Sequence, residues 1–493
     1  MIDDIINFLD IKESGIRILD TRIEKGTTKV IALDKRPITH YCEHCGYRMY
    51  SKGIYKRRVN HPVLQDGFTL VLEIHQRRWK CSNKDCGISE TDDFSFVEKH
   101  RRNTNISDLL IVEAFKDSQM TARAIARRFN VSDSHVIRTF ARYVDMPRRQ
   151  LSEAISIDEV FLNIHHGYKY ALVIQDFLNG EPIDLLKSRR QEITEPYFQS
   201  IPIKERERVK YVISDMYRSY LRYAGVYFPN AVSVIDSFHV IQAINFEILK
   251  YIRTVIKRVD RKDHEEYELR CERFHRKIEF KHSTDYLVIK KYYKLILKNA
   301  KDIKWQTTPK YDPRLKRLMT TQDYFEWMYK IEPKLRDLRA LKEDYIAFNE
   351  AYAGKPALAR ANLPKIIEKY RRCPYRIFNE IAELLQENFD AIVMSFTIVE
   401  KYSKDKVRLS NGPIESLNRI TKDMKRNSRG FRNFEYIRNR FLFSQRKNAQ
   451  ILGAPKRLED TYLKTYLPHL KEEDIYFYDE DMEDDWEAFK DEE

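Results

Sequence analysis

The sequence predicts a multidomain α+β protein in which β-rich and helix-rich segments follow one another along the chain. A chain of 493 residues is too long for one hydrophobic core. Strand-like alternation occurs near residues 20 and 160, whereas residues 243–400 show a helical period. Only 13 residues are glycine, below the usual share of roughly 7%, which indicates few tight turns and many helices.

The first 150 residues divide into three predicted segments. Residues 1–40 read as a short helix (5–9) and two strands (16–23 and 29–33). A cysteine-rich segment follows at 41–102. A helical segment at 103–150 ends near Pro147.

A mixed α/β domain is predicted from residue 151 onward. Its strands are expected at 155–162, 168–175, 182–187, 209–213 and 232–235, with turns at His166-Gly167 and Asn179-Gly180 and a helix at 191–207. Residues 243–400 contain no convincing strand, so they read as an all-helical insertion between a first part (151–242) and a second part (401–455) of this domain. Residues 456–493 form a C-terminal extension with an acidic tail.

The charge is distributed unevenly along the chain. The formal net charge is +14, but 13 acidic residues and one lysine lie within 472–493, so the remainder carries +26. Such a surplus favours a polyanionic partner, although a Lys-rich soluble surface would also account for it. The tail either folds back on the basic surface and competes with the partner, or is a disordered solubility tail.

The chain has no stretch of 18 apolar residues, and its first ten residues contain three aspartates instead of a basic segment. We therefore expect neither secretion nor membrane insertion, and a cytoplasmic location.

Four cysteines in two close pairs indicate a zinc ribbon. Zinc prefers four soft ligands in a tetrahedron, and two short cysteine turns supply two each. The alternatives are a structural zinc site without contact to DNA, or four unbound thiols. Cys271 and Cys373 are isolated and read as buried thiols. The expected ligands of one structural Zn²⁺ are Cys42, Cys45, Cys81 and Cys86.

Residues 120–142 are typical of a helix-turn-helix. Thr121 and Ser132 can each cap a helix, and Asn130-Val131 can form the turn between them. The second helix would then face the major groove of DNA, although an ordinary helical hairpin fits the same pattern. The outward residues expected to contact DNA are Ser134, His135, Arg138 and Arg142, with Asp133 beside them.

Three carboxylates are candidates for a catalytic metal site. Asp158 lies within the first strand of the α/β domain, Asp215 ends a later strand, and Glu415 follows Pro413 at the start of a helix. Metal-dependent phosphodiester cleavage uses ions held by carboxylates from different elements. From the residues alone, an acid of this kind is more often a surface or strand-end carboxylate.

Four segments together resemble the ISL-three family of insertion-sequence transposases, within the DDE superfamily. They are residues 156–159, 234–241, 409–418 and 430–440, in addition to the cysteine pairs and the helical pair. The resemblance implies an RNase H-like core interrupted by a helical insertion. It also implies DDE roles for Asp158, Asp215 and Glu415, with two Mg²⁺ (or Mn²⁺) ions per active site.

Residues near these three acids are also expected to take part in the site. Asp236 and His239 are expected either to support the metal ligands or to be structural. Glu159 neighbours Asp158 on a strand, where adjacent side chains face opposite sides, so we expect only Asp158 to point at the metals. Arg419 and Lys422 share a helix face with Glu415 and are expected either to hold the DNA strand or to form exposed salt bridges.

The expected function is therefore that of a DNA transposase of a prokaryotic insertion sequence. It would bind the terminal inverted repeats, cleave there, and transfer the freed 3′ end to target DNA, as a homodimer or larger assembly at the nucleoid. The alternatives are a catalytically inactive DNA-binding regulator and a structural chromatin protein.

Overall fold

The computed structural model describes residues 9, 11, 13–36, 38–61, 69–99, 101–165 (of residue 165 only the backbone) and 168–463. Three predicted features lie outside the described residues. They are the predicted helix at 5–9 apart from its last residue, the turn at His166-Gly167, and the acidic tail.

The N-terminal strands join the cysteine-bearing strands in one sheet. β2 pairs in parallel with β4, so the hairpin β1–β2 continues the sheet formed by β3, β4 and β5. Apolar residues of these strands pack around Leu33, Val59 and Leu72. The strands are β1 (Ile16–Glu24), β2 (Thr28–Lys35), β3 (Met49–His61), β4 (Thr69–Cys81) and β5 (Ser89–Thr91).

Three helices follow, and the predicted capping residues are used. Thr121 accepts a hydrogen bond from the backbone N–H of Ala124, and Ser132 accepts one from that of His135. Asn130 ends the first helix of the pair in the left-handed region, at φ 52°. The helices are α1 (Asn105–Glu113), α2 (Ala122–Phe129) and α3 (Asp133–Tyr143).

A five-stranded mixed sheet forms the centre of the protein. Its strand order is β10-β9-β6-β7-β8; β9 and β10 run parallel to β6, whereas β7 runs antiparallel to both β6 and β8. The strands are β6 (Ala154–His165), β7 (Tyr168–Asp176), β8 (Pro182–Leu186), β9 (Tyr211–Ser214) and β10 (Val232–Ile235). This mixed α/β sheet agrees with the sequence prediction.

The connections between these strands are α4 (Gln191–Ser200), α5 (Ile203–Arg206) and α6 (Arg218–Tyr227). The single helix predicted at 191–207 was wrong in one respect, because it is divided at Ile201 and Pro202. The proline ring disfavours the helical conformation in the residue before it, which ends the first helix there.

A helical block follows β10 and has its own apolar core, which includes Ile244, Leu338 and Phe378. It begins at Ser237, earlier than the predicted residue 243, because the Asp236 side chain caps its first helix. Its helices are α7 (Ser237–Phe274), α8 (Thr284–Tyr292), α9 (Lys294–Leu297), α10 (Thr321–Ile331), α11 (Lys334–Ala351), α12 (Pro356–Arg372), α13 (Arg376–Glu387) and α14 (Phe389–Met394).

The prediction that this block lacks strands was wrong. A small hairpin of β11 (Lys310–Asp312) and β12 (Arg317–Met319) lies within it. A second, β13 (Ile398–Glu400) with β14 (Lys406–Arg408), follows it. Three residues are too few to show the alternation by which a strand is recognised in a sequence.

Two C-terminal helices return to the central sheet. α15 (Gly412–Asn427) packs on β6, and α16 (Phe434–Gln445) packs on β8. The same helices share a core with the helical pair, since the ring of Phe140 contacts those of Tyr436 and Phe443. Within the described part of the chain, no helix is both long and apolar enough to cross a membrane.

Candidate active site and cysteine cluster

Three carboxylates converge at the end of the central strands. Oxygen atoms of Asp158, Glu159 and Asp215 all lie within 4.8 Å of one another. The strand register explains the approach of the two aspartates, because Ser156 of β6 pairs with Ile213 of β9. Two residues further along the chain, Asp158 in β6 and Asp215 directly after β9 therefore stand side by side.

The expectation that only one of Asp158 and Glu159 could point into this site was wrong. The Asp158 Oδ1 atom turns back to accept the backbone N–H of Glu159, at 2.8 Å. The longer Glu159 side chain is held by two donors, with Arg189 Nη1 2.8 Å from Oε1 and the Tyr220 hydroxyl 2.6 Å from Oε2. Side-chain length and these bonds override the alternation of Cβ atoms.

Tyr220 is fully buried behind Glu159. Burial raises the pKa of Tyr220 well above its usual range, and the charges of Glu159 and Asp215 raise it further. The hydroxyl therefore stays protonated and remains a hydrogen-bond donor to Glu159.

Glu415 lies in the first turn of α15, and it is not among the three acids whose oxygens converge. Asn418, one turn after Glu415, donates from Nδ2 to Asp158 Oδ2 at 2.7 Å and to the Glu159 carbonyl at 3.1 Å. The half-buried Glu415 thus lies about 4.5 Å nearer the start of the helix axis than Asn418, the residue that contacts Asp158.

On the same helix, Arg419 is exposed and Lys422 is half-buried.

Asp236 and His239 contact the start of this helix. Asp236 Oδ2 accepts the backbone N–H of Asn411 at 2.7 Å, and His239 Nε2 lies 2.9 Å from Asn411 Nδ2. Asn411 is fully buried and immediately precedes α15. These two residues thus fix the beginning of the helix that carries Glu415.

The four predicted cysteines form a compact cluster. Their sulfur atoms all lie within 4.8 Å of one another, with Cys45 Sγ 3.4 Å from Cys81 Sγ and Cys42 Sγ 3.7 Å from Cys86 Sγ. Gly46 follows the first pair and Gly87 the second, at φ 72° and 62°. A hydrogen bond from the Tyr47 backbone lowers the pKa of Cys45 to about 7. Four thiols in this arrangement are a donor set that suits Zn²⁺.

The predicted DNA-contacting residues of α3 fall into two groups. Ser134 and Arg138 are exposed. His135 is half-buried, with Nε2 3.1 Å from Asn103 Nδ2 and 3.4 Å from Oδ1 of the buried Asp108. Arg142 is half-buried and donates from Nε to the Lys456 carbonyl at 2.9 Å.

A basic cavity beside α3 was not predicted. Its volume is about 560 Å³, and it combines residues from three parts of the chain. Arg101 and Arg102 come from the segment before α1, and Arg457 comes from the segment after α16. Because these residues are far apart in the sequence, the cavity is recognised only in the folded structure. The cationic residues lining the cavity are Arg101, Arg102, Arg138, Arg142 and Arg457.

Comparison with known proteins places these observations in one family. A family model described as a transposase, for the DDE transposases of the ISL3 (ISL-three) group, matches residues 155–441. The chain is also 24% identical over 430 residues to a transposase for the insertion sequence element IS1001 of Bordetella parapertussis. That match covers 86% of this chain and 93% of the relative. The chain therefore belongs to the ISL3 family of DDE transposases, and its function is that of a DNA transposase.

Proposed function

We propose that this transposase cleaves DNA at the terminal inverted repeats of its insertion sequence and joins the freed 3′ end to target DNA. The observation that carries the proposal is the pairing of Asp158 with Asp215 beside a helix that is hydrogen-bonded to Asp158 through Asn418. We propose that Asp158, Asp215 and Glu415 of the adjoining helix form one catalytic set. The mixed sheet that bears them is proposed to be an RNase H-like core, interrupted by the helical block as an insertion.

Asp158, Asp215 and Glu415 would hold two Mg²⁺ or Mn²⁺ ions, since hard cations of this kind prefer oxygen ligands. Bound divalent ions supply Lewis-acid activation of the attacking water and stabilise the leaving oxygen. The chain itself contributes the ligand geometry. Asn418 fixes the Asp158 carboxylate, and Asp236 and His239 fix the start of the Glu415 helix through Asn411.

Glu159 is proposed to position the site instead of binding the ions. Its two oxygens are engaged by Arg189 and Tyr220. These bonds hold its carboxylate in a fixed position within the cluster, where it compensates the Arg189 guanidinium.

The front of the chain is proposed to recognise the element ends. Ser134 and Arg138 would read bases, with His135 and Arg142 at the margin of the contact, and the basic cavity would hold phosphates. Arg419 and Lys422 would hold the DNA strand near the carboxylates. One structural Zn²⁺ would be bound by Cys42, Cys45, Cys81 and Cys86. We propose action as a homodimer or larger assembly on DNA, at the nucleoid of a bacterial cytoplasm.

Incubation of the full chain with a duplex that carries one terminal repeat tests this function. With Mg²⁺ or Mn²⁺ we expect strand cleavage at the repeat end and strand transfer into a second plasmid. With EDTA we expect binding without cleavage. Binding without cleavage under all metal conditions would instead indicate an inactive regulator.

The Arg138→Ala variant tests base reading by α3. We expect binding to the terminal repeat to weaken by about 1–3 kcal/mol, whereas binding to random DNA changes little, if this exposed guanidinium grips a base edge. Titrations of both DNAs at one salt concentration measure the difference. Arg123→Ala, an exposed arginine of α2, is the matched control. Equal weakening on both DNAs would make Arg138 a phosphate contact.

A further inference from the structure

A cavity of about 240 Å³ lies next to the carboxylate cluster, between β7, the start of α4, and α6. Its described lining includes five tyrosines, four lysine or arginine side chains and one carboxylate, Glu195. We call it the tyrosine pocket, after Tyr168, Tyr170, Tyr217, Tyr223 and Tyr227.

The tyrosine pocket shares a wall with the carboxylate cluster. The Arg189 guanidinium, whose side chain is 11% exposed, donates to Glu159. It also lies 4.6 Å from the ring centroid of Tyr170 and 5.0 Å from that of Tyr217. On the other side, the backbone N–H of Tyr217 donates to Asp215 Oδ1 at 2.9 Å. Two residues that line the pocket, Arg189 and Tyr217, are therefore hydrogen-bonded directly to two of the three converging acids, Glu159 and Asp215.

Not all of these tyrosines serve the core. Tyr223 and Tyr227 pack on Phe198 and are buried, which accounts for them as core residues. Tyr217 differs, because 41% of it is exposed although its ring is held against that of Tyr220 at 5.0 Å. A tyrosine that is fixed at its backbone and packed along one edge, yet open to solvent, provides a preformed stacking surface.

The lining selects the chemistry of a ligand. Tyrosine rings stack on nucleobases of any sequence, and a guanidinium adds cation–π attraction. Beyond Arg189, which is paired with Glu159, three cationic side chains and one carboxylate line the pocket, and this balance favours an anionic ligand such as a nucleotide. The volume is below the roughly 300–1,000 Å³ of pockets for drug-sized ligands, so it suits one base and excludes a duplex.

We propose that the tyrosine pocket binds a nucleobase that has left the duplex next to the cleaved phosphate, with Tyr217 as the stacking face. This inference rests on the proposed function, since it requires that DNA lie at the carboxylate cluster. Binding the extruded base would offset the cost of unstacking it. DNA whose terminal nucleotides are already unpaired would bind more tightly.

The test compares three labelled DNAs with the full chain in EDTA. They are a short blunt duplex, the same duplex with a single-stranded thymidine extension, and the same extension built from abasic sites. We expect wild type to bind the thymidine extension about tenfold more tightly than the blunt duplex. The abasic extension carries the same phosphates without bases, so it should lose this preference.

Two variants test whether the preference for the thymidine extension depends on the tyrosine pocket. Tyr217→Ala should remove it, and Tyr217→Phe should retain it because the ring remains. Tyr311→Ala changes an exposed tyrosine of the distant β11 hairpin and is the matched control. An equal preference for the abasic extension, or a preference that survives Tyr217→Ala, would overturn the proposal.

Cleavage assays with Mg²⁺ separate this inference from the proposed function. If wild type cleaves a terminal repeat but shows no base-dependent preference, the tyrosine pocket proposal alone fails. If the preference depends on Tyr217 but no DNA is cleaved, the pocket binds bases and the proposed catalytic function fails.

Discussion

Asp158→Asn and Glu415→Gln are each expected to lower strand cleavage by about a thousandfold, because metal ligands contribute several kcal/mol to the transition state and each 1.36 kcal/mol is tenfold in rate. Both changes keep the size of the side chain and remove its charge. Binding of the terminal repeat in EDTA should remain nearly unchanged. Single-turnover cleavage and binding titrations measure the two quantities.

Asp405→Asn and Glu383→Gln are matched controls for these variants, since both acids are exposed and neither belongs to the carboxylate cluster. They should cleave at the wild-type rate. Substantial cleavage by Asp158→Asn or Glu415→Gln would remove that residue from the set of metal ligands.

The Glu159→Gln variant shows whether the third converging acid positions the site or binds a metal ion. As a positioning residue it should lose only about tenfold in cleavage, the scale of a hydrogen bond to a charged group. Its apparent affinity for Mg²⁺ should stay close to that of wild type. A loss as severe as that of Asp158→Asn, together with a raised Mg²⁺ requirement, would make Glu159 a metal ligand.

Removing the cysteine cluster is expected to have the second large effect, on the N-terminal sheet. Cys42→Ser combined with Cys81→Ser takes one ligand from each cysteine pair, which should abolish tight zinc binding. Structural zinc contributes roughly 10–16 kcal/mol in zinc-finger peptides, so the turns at Gly46 and Gly87 should lose their order. Metal analysis after exhaustive dialysis should give one zinc per chain for wild type and none for the double variant.

Cys271→Ser combined with Cys373→Ser is the matched control, because these two cysteines lie in the helical block away from the cluster. It should keep its zinc. An undiminished zinc content in Cys42→Ser/Cys81→Ser, or no zinc in wild type, would contradict the ribbon.

Local patterns in the sequence predicted the elements that carry the site. The caps Thr121 and Ser132, the strands around Asp158 and Asp215, and the helix that starts beside Pro413 each depend on a few neighbouring residues. Such signals are local and can be read along the chain.

What could not be predicted depends on contacts between distant residues. Glu159 enters the carboxylate cluster because Arg189 and Tyr220, 30 and 61 residues away, hold its side chain. Asp236 acts on Asn411 across 175 residues. Sequence spacing contains no information on these approaches, which arise from strand register and helix packing.

Cleavage of a terminal-repeat duplex by wild type and by Asp215→Ala, in Mg²⁺ and in EDTA, tests the central claim most directly. Asp215 is the acid that strand register sets beside Asp158, and its removal leaves unchanged the residues at the front of the chain that we propose to bind DNA. We expect wild type to cut at the repeat end only with Mg²⁺, and Asp215→Ala to bind the same DNA without cutting it. Cleavage by Asp215→Ala at the wild-type rate, or cleavage by wild type in EDTA, would contradict a metal-dependent carboxylate site.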